Sequence, residues 1–337
     1  MSRVLEILSA GPQVAVEDEG RPGYLAFGLA RGGAADPLAL AEGAALLGQG
    51  PGLAALEMAG FGGTFAVTEP IRIALSGAPM RAALDGVALV WNASHMVLPG
   101  QRLSIGAVEA GVYGYLSLGG GIATDPFLGS RSVHLTAGLG RCLSAGDRLP
   151  IGPDGGAGVG LRLEAGGHAG GGVVRVLPTA QTGMFSPEDR ARFEATIFRR
   201  DPAGNRQGVR LAGGAVFATA GQRSLLSEIV EPGDIQMTGE GVPYVLLAEC
   251  QTMGGYPRIA SVVPDDLPIV AQAAPGDSLR FRFVTLEEAL ADHRARRPGG
   301  KLKVATRRLL RDPREMADLL SYQLISGVTD GGGEGEA

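Results

Sequence analysis

Gln251-Thr252-Met253-Gly254-Gly255-Tyr256-Pro257 is the stretch richest in groups able to do chemistry. It follows a continuous apolar run, Tyr244 to Ala248, that reads as a buried strand, so its polar groups are delivered where a strand stops. Gln251 and Thr252 both donate and accept hydrogen bonds, Gly254 and Gly255 admit a ligand to backbone N–H groups, and Tyr256-Pro257 stiffens the exit. This pattern fits a turn that binds a small anion or an amide. A tight barrel corner with Tyr256 as a plug also fits it.

Asp18 and Arg21 form a second candidate group, three residues apart in a Gly-flanked loop. Arg21 is able to hold a carboxylate through two hydrogen bonds while Asp18 accepts an N–H, with Tyr24 as a pocket wall. A salt bridge that only staples the loop is the structural alternative. Arg131 follows a Gly turn in Ser130-Arg131-Ser132, and Asn205-Arg206 follows Pro202-Ala203-Gly204; loops at barrel mouths often carry function. His95, His134, His168 and His293 show no metal-ligand spacing, so they read as ordinary side chains and no metal site is expected. The sequence has no Ala-Met-Lys-Met biotinylation site, no G-x-x-x-x-G-K-[ST] loop and no G-x-S-x-G elbow. The chain is therefore expected neither to carry biotin nor to cleave ATP by a P-loop mechanism.

The elements that position these residues are expected to be mostly β. Of 337 residues 45% are hydrophobic and 19% charged, and 55 Gly with 21 Pro suit short strands joined by tight turns. A formal charge of −5, with basic residues clustered only at 294–297 and 301–314, argues against nucleic acid. Two cysteines are too few for a disulfide framework, the start lacks a secretory apolar core, and no apolar run nears the ~20 residues that span a bilayer. These features predict a cytoplasmic chain that does not enter the membrane.

A turn-and-strand order occurs twice. Pro99-Gly100 leads through Tyr115-Leu116-Ser117-Leu118 to Ala145-Gly146-Asp147, and Pro232-Gly233 leads through Tyr244-Val245-Leu246-Leu247 to Pro275-Gly276-Asp277. Gly233 follows Gly100 by 133 residues and Gly276 follows Gly146 by 130, which suggests two related barrels. The expected organisation is a first β-barrel domain over 1–152, a Gly-rich linker over 153–172, a second β-barrel domain over 173–297, and an extension over 298–337 with a helix and then a disordered tail. Short helices are predicted over Pro37 to Leu47, Ser186 to Phe198, Leu286 to Arg296 and Asp312 to Leu324. The extension is expected to be dispensable for folding.

The loop 17–24 with Gly33-Ala34-Ala35-Asp36-Pro37, then Gly120-Gly121-Ile122, Leu128-Gly129-Ser130-Arg131-Ser132, Phe185-Ser186-Pro187-Glu188, Asn205-Arg206-Gln207-Gly208, Leu226-Ser227-Glu228 and Gln251 to Pro257, resembles the biotin-dependent carboxyltransferase family. That family takes in allophanate hydrolase subunit 2, KipA and the C subunit of 5-oxoprolinase. The resemblance covers roughly 4–297 and implies two tandem cyclophilin-like β-barrels. Its first implication for function is the C subunit of an ATP-dependent 5-oxoprolinase-type complex, opening 5-oxoproline to glutamate and inactive alone. The alternatives it leaves open are the carboxyltransferase subunit of a biotin-dependent urea or amide carboxylase and a KipA-like binding regulator.

The resemblance further implies a partner of the type of allophanate hydrolase subunit 1 or of the B subunit of 5-oxoprolinase, with room for a third subunit and a small amide substrate. ATP or biotin would act only through those partners. Arginines (Arg21, Arg131, Arg206) would hold the substrate carboxylate, and Gln251, Thr252 and the Gly254-Gly255 backbone the amide or carbonyl oxygen; Asn205, Tyr24, Tyr256 and Arg258 complete the expected binding set, and Asp18 is the catalytic candidate. The chain departs from the family pattern at Glu17 (usually Gln), Gly32 (often Ser), Met253 (commonly Thr) and Arg258 (commonly Lys). Arg258 stays cationic, so it excludes any role needing a neutral amine there. Arg21, Arg131, Gln251 and Thr252 are expected to converge at one mouth, with Arg21 exposed enough that replacing it costs the fold little.

Overall fold

The computed structural model describes residues 3–156, 158–164, 170–214, 216–217, 225–300 and 302–310. The helix expected over Asp312 to Leu324, the tail after it, and His168 lie outside the described residues. The chain is mostly β.

The first unit is built of two sheets that share one core. One sheet runs Arg148–Pro150, Val4–Ala10, Phe61–Val67, Leu103–Val108, Met80–Leu84, Val87–Ala88 in spatial order. The other runs Val14–Glu17, Ala55–Ala59, Tyr113–Leu118, Ile71–Gly77, Ala93–Val97, Leu161–Leu163, Thr306–Arg308. Alternate side chains point inward, so Leu5 and Ile7, Phe65 and Val67, Ile71, Ile73 and Leu75, and Leu116 and Leu118 meet in a single cluster.

The second unit is a closed seven-stranded barrel: Gly172–Leu177, Arg258–Val262, Asp234–Met237, Pro243–Leu246, Gly208–Ala212, Phe198–Asn205 and Ser278–Phe283. Its first and last strands close it as a parallel pair, Gly172 opposite Leu279 through Val176 opposite Phe283. Phe193, Phe198, Phe217 and Phe281 fill one end, with ring centroids of Phe193 and Phe281 5.1 Å apart.

The repeated turns occupy matching places. Gly100, Gly146, Gly233 and Gly276 have φ of 87, 94, 98 and 92°, a left-handed conformation that favours glycine, and each precedes a strand. Helix starts follow their caps: Asp36 accepts the Ala39 amide at 3.0 Å ahead of Pro37–Leu46, Ser186 accepts that of Asp189 at 3.0 Å ahead of Pro187–Ala195, and Thr285 forms a capping box with Glu288 ahead of Leu286–Arg296. The second helix stops at Ala195, earlier than expected, because Thr196 turns extended and Phe198 opens a strand. The strand expected over Tyr244 to Ala248 runs Pro243–Leu246.

The Gly-rich stretch between the units is tied to the first of them. Arg72 Nε donates to Asp154 at 2.8 Å, Leu161–Leu163 pairs with Ala93–Val97 in the second of these sheets, and Leu163 is buried. Thr306–Arg308 from the extension then pairs with Leu161–Leu163, so residues 304–309 lie on the first unit rather than beyond the second.

The two units meet over a polar and apolar seam. Ala34, Ala35, Ala39, Leu40, Tyr113 and Tyr115 of the first pack into the same cluster as the interior of the barrel. Gln272, fully buried at the end of Leu267–Ala271, accepts the amides of Val112 and Tyr113 (3.0 and 2.9 Å) and donates to Tyr113 O and Asp36 Oδ2, both at 2.9 Å.

Candidate functional site

The loop after Val14–Glu17 is bent back by hydrogen bonds to its own far side: Arg21 N donates to Arg31 O at 2.7 Å and Ala34 N to Asp18 O at 2.9 Å. Gly32 N donates across the seam to Ala248 O at 3.1 Å, which pins the loop to the end of the second unit's apolar run. The result is a cavity of about 500 Å³ between the units, lined among others by Asp18, Arg21, Gly32, Leu40, Val230 and Leu267. A space of this size, mostly apolar with a few polar groups, suits a small ligand.

Asp18 and Arg21 do not pair with each other. Asp18 is buried and accepts four hydrogen bonds: Ser130 Oγ, Ser132 Oγ and Arg131 N at 2.6 Å each, and Gly20 N at 2.8 Å. Burial pushes its carboxyl up, but these hydroxyls and amides outweigh it and hold it below the usual carboxylate range. Asp18 is thus an ionised hub that shapes the loop 128–134, an environment that disfavours its acting as an acid or base at neutral pH. Arg21 is 2% exposed, which corrects the expectation of an exposed loop charge. Its Nε donates to Phe127 O at 3.2 Å and its Nη2 to Ser132 O, while Nη1 has no partner. No carboxylate among the described residues forms an ion pair with it. A buried cation with a free donor on a cavity wall is suited to an anion.

Arg206 is used differently. It is buried in the seam with three carboxylates: Nε donates to Glu249 at 2.6 Å, Nη1 to Glu57, and Nη2 lies 3.3 Å from Glu17 while donating to Gly33 O at 2.5 Å. Glu57 also accepts Ala35 N at 2.8 Å and the Tyr115 hydroxyl at 2.6 Å, and Glu249 accepts Thr136 N and Oγ1 at 3.0 and 3.1 Å. Every Arg206 nitrogen is committed to protein acceptors, so it holds the units together and offers no donor to a carboxylate ligand. Sequence reasoning misses Glu57 and Glu249. Their signal is a lone charge in the apolar Ala55–Ala59 strand and another directly after the Tyr244 to Ala248 run.

The remaining expected residues do not converge with Arg21. Gln251, Asn205 and Tyr256 line a separate cavity of about 390 Å³ on the barrel's outer face, with Gln236 and Tyr244. Gln251 is exposed and its Nε2 donates to Gln236 Oε1 at 3.0 Å; Tyr256 is 49% exposed and plugs nothing. Gly254 pairs with Glu228, and a Cβ on it would come within 2.3 Å of Gln236 Nε2. Gly255 is exposed. Thr252 is half-buried, near Gly28, and its carbonyl accepts Val230 N at 3.1 Å. Arg131 Nε donates to Thr124 O at 2.7 Å. Arg258 is a strut, donating to Gln181, Ile229, Asp234 and Glu228. Tyr24 caps the short turn Leu25–Phe27, its ring 6.4 Å from that of Phe27. Of the four residues expected at one mouth, only Arg21 lines the cavity between the units. The cause is the seam: residues 247–248 face it, whereas the turn at 251–256 has already passed onto the barrel's flank.

No group of three or more His, Cys, Asp or Glu side chains among the described residues is arranged to hold a metal ion. No helix among them is long and apolar enough to cross a membrane.

Residues 27–283 match the family model of the carboxyltransferase domain, subdomain A and B. The chain belongs to this family. It is 35% identical over 295 residues to the C subunit of 5-oxoprolinase from Escherichia coli (strain K12), covering 85% of this chain and 93% of that protein. Among solved structures it is similar to TTHA0988, with 31% identity and a TM-score of 0.76 over 83% of this chain; it spans 56% of the TTHA0988 chain. The K. lactis urea amidolyase shares the fold, at a TM-score of 0.78 and 24% identity over 90% of this chain and 20% of that one.

Proposed function

We propose that this chain is the C subunit of an ATP-dependent 5-oxoprolinase-type complex, which opens the lactam of 5-oxoproline with water to give glutamate. The observation that carries the reading is the 35% identity to the 5-oxoprolinase C subunit across 93% of that protein. The geometry supports it: the cavity between the units has the size for a five-membered lactam, and Arg21 offers a free donor to the substrate carboxylate. ATP is handled by partner chains, one of the 5-oxoprolinase B type and a third, since this sequence carries no P-loop. Gln251 and its neighbours, on the other cavity, stay outside this binding step.

The test is reconstitution. The chain alone should release neither ADP nor glutamate, and the assembled complex should release both in a 5-oxoproline-dependent way. Turnover by the homogeneous chain, or no 5-oxoproline dependence in the complex, would overturn the reading.

A second reading, favoured by the family model, makes the chain a carboxyltransferase that passes a carboxyl group from biotin on another chain to urea or a related amide. It requires a biotin-carrying partner and urea-dependent consumption of bicarbonate, neither of which the first reading needs.

A further inference from the structure

Large apolar side chains stand in solvent on both sides of the mouth of the cavity between the units. On the loop side Leu25 lines the cavity, and Phe27, two residues on, is 83% exposed. On the side of the second unit Val230 and Glu231 line it, and Ile229 just before them faces Met253 across a two-stranded pair, each 52% exposed. The two sides touch. A Cβ on Gly28 would lie 4.0 Å from Thr252 Oγ1, which brings the residue after Phe27 against the residue before Met253.

A third apolar group is held out against backbone strain. Phe127 and Leu128 are exposed at the tip of a two-residue turn, closed by Phe127 N to Ser130 O at 2.8 Å and Ser130 N to Phe127 O at 3.2 Å. Leu128 has φ of 52° and Gly129 of 82°, so a leucine keeps a left-handed position where burial within this chain does little to offset the strain. The turn is fixed from below: Arg21 Nε holds Phe127 O at 3.2 Å, and Asp18 accepts Ser130 Oγ and the Arg131 amide, both at 2.6 Å. The two residues at the root of the loop that carries Phe27 therefore also position this tip.

Apolar side chains held in place around a cavity mouth have the make-up of interface anchors. The rim also carries charge. Glu19 and Glu231 are exposed lining residues, and neither forms an ion pair among the described residues; the cation beside them is Arg31, whose Nε is engaged by Glu19 O at 2.8 Å. The complementary face is thus apolar with basic residues at its edge. On the proposed function ATP is handled by another chain while 5-oxoproline occupies this cavity, and the two can be coupled only inside one closed space, so the chain that covers the mouth is the one that handles ATP. TTHA0988 extends well beyond the part that this chain matches, so a relative of this fold carries further protein in the same chain.

We infer that Phe27, Ile229, Met253 and the Phe127-Leu128 tip anchor the ATP-handling partner, of the 5-oxoprolinase B type, over the cavity mouth. This deepens the proposed function and rests on it for the identity of the partner.

The experiment measures by calorimetry the affinity of the full-length chain for that purified partner. Phe27→Asp should weaken it at least tenfold with an unchanged melting temperature, as the side chain packs on little of its own fold. Leu128→Gly separates docking from folding: glycine accepts the left-handed backbone, so the melting temperature should hold while partner affinity falls. Val87→Asp, at the exposed end of the first sheet, should alter neither. No complex at all, or unaltered affinity in folded Phe27→Asp and Leu128→Gly, overturns the surface; so does an equal loss in Val87→Asp. Self-association of the chain in sedimentation, abolished by Phe27→Asp, would give the face to a second copy and overturn the partner. Phe27-dependent docking in a complex inert toward 5-oxoproline would sink the proposed function and leave the surface standing. Turnover of 5-oxoproline by a complex whose assembly ignores both variants would do the reverse.

Discussion

Glu17 Oε1 lies 3.3 Å from Arg206 Nη2, yet neither Glu17 oxygen accepts a hydrogen bond. Three buried carboxylates share one guanidinium, so all three cannot stay ionised cheaply. Burial raises the Glu17 pKa well above its ordinary 4.5; Arg206 opposes this, and Glu57 and Glu249 raise it further. Glu249 goes the other way: burial pushes it up, but Arg206 and the Thr136 amide hold it low. The cluster thus holds Glu17, rather than Glu249, toward its protonated form. A native state that keeps a proton the unfolded chain loses is fully stable below about pH 4.5 and loses stability as pH rises toward the folded pKa.

Glu17→Gln removes that titration while keeping shape and neutrality. The variant should gain on the wild type as pH rises above 4.5, by about 1.4 kcal/mol for each unit by which folding raises the pKa. Denaturant midpoints at pH 5 and pH 8 measure it. An equal difference at both pH values would show that Glu17 is ionised in the fold.

Asp18→Asn should act in the opposite direction. The amide replaces one acceptor oxygen with a donor, leaving at least one of Ser130 Oγ, Ser132 Oγ, Arg131 N and Gly20 N facing an NH₂ group. The expected cost is about 2–3 kcal/mol at pH 7. Because folding lowers the Asp18 pKa below 3.8, its contribution is present above that value and fades as pH falls through the folded pKa. Unfolding curves at pH 7 and pH 3 should show the deficit shrinking in acid. Destabilisation that is independent of pH would refute the hub role.

Arg21→Ala should damage the fold as well as ligand binding. Removing the guanidinium strands the carbonyls of Phe127 and Ser132 and opens space beside them, at a cost of about 2–4 kcal/mol. Urea denaturation of the purified variant checks this. A loss under about 0.5 kcal/mol, typical of exposed positions, would mean the side chain is not held as described.

How far the sequence could be read depended on the range of the interaction. Helix starts are local, so Asp36-Pro37 and Ser186-Pro187 announced them, and the Pro/Ala-Gly turns announced the strands that follow. Arg21 and Asp18 were visible as a pair of types but not as residues with separate partners, because those partners come from 127–132, more than a hundred positions away. The turn at 251–257 carried the strongest local pattern, yet it lies on the barrel's flank. Its place relative to the seam depends on how two units dock, which no local pattern encodes. His134 reads as ordinary for the same reason: its burial beside Glu249, more than a hundred positions away, exists only in the folded chain.

Removing residues 298–337 should weaken one edge rather than the whole molecule. Thr306–Arg308 covers Leu161–Leu163, and Val304 packs on a small cluster with Leu46, Leu47 and Leu163. Hydrogen exchange should accelerate at the amides of 161–163 in the truncated chain while the barrel strands Asp234–Met237 and Arg258–Val262 keep their protection. Unchanged exchange at 161–163 would show that the extension strand contributes nothing to the sheet.

Gln272→Leu tests the seam itself. The leucine is similar in size, so little cavity forms, but the Val112 and Tyr113 amides, Tyr113 O and Asp36 Oδ2 each lose a buried partner. Asp36 also caps Pro37–Leu46 and belongs to the chain of bonds from its own amide through Tyr115 and Glu57 to Arg206, so a shift there reaches the helix on the cavity wall. The expected loss is about 2–4 kcal/mol, smaller than the sum of single deletions because the network relaxes together. Gln272→Glu should be as harmful at pH 7, since its carboxylate meets Asp36 without a donor between them, and should improve in acid as that carboxyl takes a proton. Equilibrium unfolding of both variants at pH 7 and pH 5 decides the matter: two variants as stable as wild type would show that the units are held by their apolar contacts alone.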